Sequence, residues 1–199
     1  MNDQVLSRLR QDHDNLRPLL RVLDQQLECI EANGDADYVL MADILDYLVR
    51  KPEQYHHPFE ERLGQRLLAR EPAAADAVSR IRAQHHRLTR LGKRLQRRLD
   101  EIAADSLVSR TRFVRLAHAY VRLYETHLDD EERELFPALD NTLAAADWIE
   151  ATTAFQWTLD PAFTADNAAD HRDLRDRIEL ALKVQLPQSG TGFCPLCAP

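Results

Sequence analysis

Two stretches of this chain repeat one pattern. YHHPFEERL (Tyr55–Leu63) and ETHLDDEERELFPAL (Glu125–Leu139) each carry His-x-x-x-Glu-Glu, from His56 to Glu60 and Glu61, and from His127 to Glu131 and Glu132. On a helix, positions i and i+4 share a face, so each copy can aim one imidazole and one carboxylate at a single point. An exposed helix gains little from that combination, whereas a metal ion is served directly by it.

The remaining periodicity supplies the helices. A first helix is expected over about 3–31, with Val5, Leu9, Leu16, Leu20, Leu23, Leu27 and Ile30 as its apolar stripe and Asn33-Gly34 ending it. A second covers about 37–70 and contains Pro52 and Pro58, which predicts a kink rather than a straight rod. A third spans about 74–104 and a fourth about 109–145. Long amphipathic helices with short connections predict an all-α, up-down-up-down four-helix bundle over residues 1–145. Residues 146–185, broken at Asp160-Pro161, predict a short C-terminal helical extension carrying Leu174, Ile178 and Leu182. Residues 186–199, rich in Pro, Gly and Ser, read as a flexible tail with Cys194 and Cys197.

The two halves of the bundle resemble each other. DHDNL (Asp12–Leu16) in the first helix parallels QHHRL (Gln84–Leu88) in the third. The interval from His13 to His56 nearly equals that from His85 to His127, as expected of a tandem helical hairpin. Phase then separates the histidines. His13 and His85 fall on apolar stripes, and His127 continues the line of Tyr120 and Tyr124 towards Leu135. His56 shares a face with Phe59, Glu60 and Leu63, whereas His57 points with Glu61 and Gly64, a poorer core face whose phase the prolines blur. His86 and His118 point away.

Four histidines and two glutamates directed into one core layer are costly unless paired or coordinated. Imidazole and carboxylate without thiolate suit iron, manganese or zinc. Two glutamates can bridge two cations, leaving two histidines for each and open positions for a small ligand, and a redox-active di-iron centre fits best. Charge and hydropathy exclude other roles. The net charge of −7 and a pI near 5.6 argue against nucleic acid or an anionic membrane as the main partner. No apolar run approaches the ~20 residues of a membrane span. The N-terminus lacks a signal-peptide core, and three cysteines form no paired framework, so a cytoplasmic location is expected.

DHDNL, YHHPFEERL, QHHRL and HLDDEERELFPAL together resemble the signatures of hemerythrin-like (HHE cation-binding) domains over about residues 4–141. The resemblance implies a four-helix bundle around two iron ions in an oxo- or hydroxo-bridged non-haem centre, held by His13, His56, Glu60, His85, His127 and Glu131. It implies O2, peroxide or NO as partner, in redox chemistry under oxidative or nitrosative stress, in iron–sulfur cluster repair, or in reversible binding and sensing. Oxygen-carrying hemerythrins have a fifth histidine one turn after the third-helix ligand. Thr89 stands there in this chain, which makes the set most similar to that of the cluster-repair di-iron proteins.

Overall fold

The computed structural model describes residues 2–153 and 169–184. The expected break at Pro161 and the cysteine-containing tail lie outside the described residues. Among the described residues all regular secondary structure is helical. It runs through α1 (Asn2–Glu31), α2 (Tyr38–Lys51), α3 (His57–Arg70), α4 (Ala75–Ala103), α5 (Arg110–Asp130), α6 (Phe136–Thr142), α7 (Ala145–Thr153) and α8 (Ala169–Val184). α1 packs on α2 and α5, and α4 packs on the same two helices, so the long helices enclose a common core.

The ends of α1 and α4 are built alike. Asn33 and Asp105 take positive φ, 60° and 53°. That lets Gly34 N–H reach the Cys29 carbonyl at 2.8 Å and Ser106 N–H reach the Glu101 carbonyl at 2.9 Å. These bonds satisfy carbonyls that a helix end leaves open. Asp37 then caps α2 by accepting from Leu40 N–H at 2.8 Å. Cys29 is buried and disulfide-bonded, contrary to the expectation of no paired cysteine framework.

The kink expected in the second helix takes a specific form. Pro52–His56 is a π turn that joins α2 to α3 without a break, closed by His57 N–H on the Pro52 carbonyl. A second π turn, Glu131–Leu135, joins α5 to α6, closed by Phe136 N–H on the Glu131 carbonyl. Each turn is followed two residues later by a proline, Pro58 or Pro137. A proline ring has no N–H to give and crowds the carbonyl four residues back, here that of Gln54 or Arg133. Widening the helix to i→i+5 bonding over that turn accommodates the ring and keeps the chain helical.

Buried apolar side chains form two clusters. One joins the C-terminal half of α1 to α2, α4 and α5, and takes in Leu174, Ile178 and Ala181 of α8. The other joins the start of α1 to α3 and α6, and takes in Trp148 and Ala151 of α7. Arg177 pairs with Asp37 and Asp43, fixing α8 against the start of α2. The extension therefore completes the core of the helices that precede it. His13, His56, His57, Glu60, His85, His127 and Glu131 are buried as well, in the stretches of helix where the two clusters meet.

Candidate metal centre

All six residues singled out from the sequence lie in one buried group, each 5% exposed or less. α1 contributes His13, the first π turn His56, α3 Glu60, α4 His85, α5 His127 and the second π turn Glu131. His86 is exposed, and His118 turns outward to Asp24 at 3.1 Å and Glu31 at 3.4 Å.

A seventh member was not expected. The phase of a straight helix sends His57 outward, but it is 5% exposed, and its ring stacks on that of His85 with centroids 3.9 Å apart. The π turn inserts an extra residue just before it, with less rotation per residue, so two consecutive histidines both reach the interior. His57, His85 and His127 then form one set of converging donors, and His13, His56, Glu60 and Glu131 a second.

The two glutamates span the sets. Glu60 Oε1 lies 3.1 Å from His56 Nε2, while its Oε2 lies 3.5 Å from His85 Nε2. Glu131 Oε2 lies 3.2 Å from His13 Nε2 and 3.4 Å from His127 Nε2, while its Oε1 lies 3.1 Å from His85 Nε2. Each carboxylate thus faces both groups of imidazoles, the disposition a bridging ligand requires.

Outer partners orient the rings. Glu132 sits 2.8 Å from His13 Nδ1 and is itself held by Arg17 at 3.1 Å. Asp12 lies 3.3 Å from His56 Nδ1. Glu53 lies 2.8 Å from His57 Nδ1 and accepts a 2.6 Å hydrogen bond from Thr89. Gln84 Oε1 lies 3.4 Å from His127 Nδ1, and the Gln84 amide donates to Asp130 at 2.8 Å. For His85 the nearest such group is Glu61, at 3.8 Å from Nδ1. An acceptor on Nδ1 keeps the proton there and leaves Nε2 as a lone pair facing inward, the arrangement found around metal-ligating histidines. Sequence spacing missed these partners because most come from a neighbouring helix. Only Glu53 announces itself, four residues before His57.

The interior chemistry fits a cation. The Nε2 atoms of His57 and His127 are buried without a hydrogen-bond partner, and both Glu60 oxygens are buried against His56 and His85. His13 Nε2 and His56 Nε2 face each other at 3.2 Å. Lone pairs and carboxylates crowded together repel unless protons or metal ions lie among them. Burial, reinforced by His85 and His56, pushes His57 well below the usual histidine range. Burial likewise takes His127 to about 3. Burial also opposes charging of His85, but hydrogen bonds to Glu131 and Glu60 outweigh it and raise that group to about 9. Tyr124 stacks edge-on to His127 with centroids 6.1 Å apart and donates to the Leu48 carbonyl at 3.4 Å. Burial raises its hydroxyl well above the ordinary value, so it keeps its proton and packs the core.

Mixed nitrogen and oxygen donors in a helical core, with glutamates shared between two histidine groups, define a helical metal-binding protein. The hemerythrin HHE cation-binding domain family matches residues 4–139, and the chain belongs to that family. It is 24% identical over 148 residues to uncharacterized proteins of Mycobacterium bovis and Mycobacterium tuberculosis. That alignment takes in 74% of this chain and 58% of theirs, so the chain spans little more than half the length of these relatives. No solved structure matches. Among the described residues, no helix is long and apolar enough to cross a membrane.

Proposed function

We propose that this chain is a non-haem di-iron protein that binds or reacts with O2, peroxide or NO. Its long helices would form an up-down-up-down bundle around two iron ions, with His57 joining His13, His56, Glu60, His85, His127 and Glu131 as a ligand. The observation that carries the reading is the pair of glutamates, each facing both histidine groups. Bound iron would supply one-electron chemistry and open coordination sites. The protein's own residues hold the imidazoles in one tautomer, shield the centre from bulk water and keep the bridging carboxylates ionised.

His57 alters which chemistry is favoured. Four histidines would leave the two metals equivalent and both open. Five divide as three and two, so His57, His85 and His127 would hold one metal more fully than His13 and His56 would hold the other, which would keep room for a guest. That asymmetry favours a second reading, reversible binding of O2 or NO without turnover, and weakens the likeness to cluster-repair proteins drawn from four histidines. A role in oxidative or nitrosative stress agrees with either. Iron-loaded, reduced protein should be mixed with O2, NO or hydrogen peroxide and followed by visible absorption. Rapid oxidation with consumption of the ligand supports reaction, and an adduct that reverses under vacuum supports the carrier. No spectral response to any of the three would refute both.

A further inference from the structure

A cavity of about 50 Å³ lies between α3 and α4, with Glu60 and His85 at its inner end. Gly64, Val78, Ile81 and Leu135 form its walls, and Glu61 and Arg82 stand among its polar lining residues. Those two side chains are paired at 3.7 Å and are partly exposed, which places them at the outer end. On the side of His13, His127 and Glu131 the centre is covered by described residues. Phe136 stacks on His13 with ring centroids 5.3 Å apart, Tyr124 lies against His127, and Glu131, His13 and His127 are 0% exposed. Two larger clefts, which take in arginines of α4 and α5, contain no residue of the centre.

We infer that the cavity between α3 and α4 is the port through which a small uncharged ligand reaches the metal pair, an inference that rests on the di-iron reading above. Its size admits a molecule of two or three heavy atoms, since a liquid water occupies about 30 Å³. The mouth carries one positive and one negative group, so neither sign of ion is drawn in. The walls beyond are mostly aliphatic, and an ion crossing them would lose its hydration with nothing in return. O2, NO and hydrogen peroxide meet these conditions; anions and organic substrates do not.

Gly64 sets the bore. A Cβ at this position would stand 3.1 Å from Val78 Cγ1, so any side chain here pushes Val78 or fills the cavity. Gly64→Val should slow oxidation of the reduced, iron-loaded protein by O2 about tenfold, through overpacking of the route, while iron content stays at the wild-type value. The double variant Gly64→Val/Val78→Ala should restore the rate by returning the lost space. A second readout needs no metal. Xenon under pressure should shift the methyl NMR resonances of Val78, Ile81 and Leu135 in metal-free wild type but not in Gly64→Val, and Gly64→Ala serves if the valine variant does not fold. Unmoved methyl signals in wild type, or a fully iron-loaded Gly64→Val that oxidises at the wild-type rate, would overturn the port. Wild-type iron protein that ignores every ligand would instead refute the functional reading, while the xenon shifts still decide the cavity.

Discussion

The two His-x-x-x-Glu-Glu copies are the same in sequence and different in space. In the first copy the π turn, Pro52–His56, ends on the histidine, so both His56 and His57 enter the core before Glu60 follows on regular helix. In the second, Glu131–Leu135 begins on the glutamate, so a single histidine, His127, enters first. Glu131 then reaches the centre, while Glu132 turns to the outer nitrogen of His13. One copy therefore delivers two imidazoles and one carboxylate. The other delivers one imidazole, one carboxylate and an outer support. A repeat in sequence becomes an asymmetric pair of donor sets because the wide turn sits at a different place in each copy.

The most damaging test of that difference removes the turn. Deleting Gln54 should restore regular helical bonding and turn His56, His57 and Glu60 together by about 100° relative to α2. Iron should be lost altogether, and an iron-replete deletion variant would show that the turn does not set the phase. Replacing His57 by Ala should be milder, emptying the three-histidine position and leaving about half the iron. His86→Ala should leave the full complement, and metal analysis of the two purified variants separates them. Smaller again is the loss of support for His57. Thr89→Val or Glu53→Gln frees its ring, and a supporting partner of this kind is worth about 10–100-fold in metal affinity. Thr89→Ser should recover most of it in a competition titration against a chelator.

The smallest effect concerns the protein without metal. His85 is held at about 9 when folded against 6.5 when unfolded, so its contribution to stability is fully present below about pH 6.5 and is lost as pH rises through about 9. Thermal unfolding of the metal-free protein should accordingly show a lower midpoint at pH 9 than at pH 6. In the iron-loaded protein Nε2 is no longer free to take the proton, and that part of the difference should vanish. An iron-loaded protein with the same pH dependence as the metal-free form would argue against His85 as a ligand.

Much of this was legible in the residues. Apolar spacing placed the ends of the first three long helices to within a residue or two, because Leu16, Leu23, Leu88 and Leu95 recur at helical intervals and all proved buried. The fourth, expected to run to 145, stops at Thr142, and a separate helix starts at Ala145. The same spacing brought His13, His85 and His127 inward, since they occupy stripe positions on unbroken helix. His57 was missed because phase arguments assume 3.6 residues per turn, and one wide turn invalidates them for everything that follows. Its signal was present in Pro58 and Pro137, each standing two residues beyond a π turn in the corresponding copy. The outer partners could not be read at all. Contacts such as Thr89 with Glu53, or Glu132 with His13, depend on how separate helices meet, which no local pattern records.

The central claim is that the seven buried donors hold two unlike iron ions, one with three histidines and one with two. The Mössbauer spectrum of the iron-loaded protein in its oxidised state tests this most directly. Two quadrupole doublets of equal area are expected, and His57→Ala should remove one of them. A single doublet in the wild-type protein, unchanged in His57→Ala, would contradict the account.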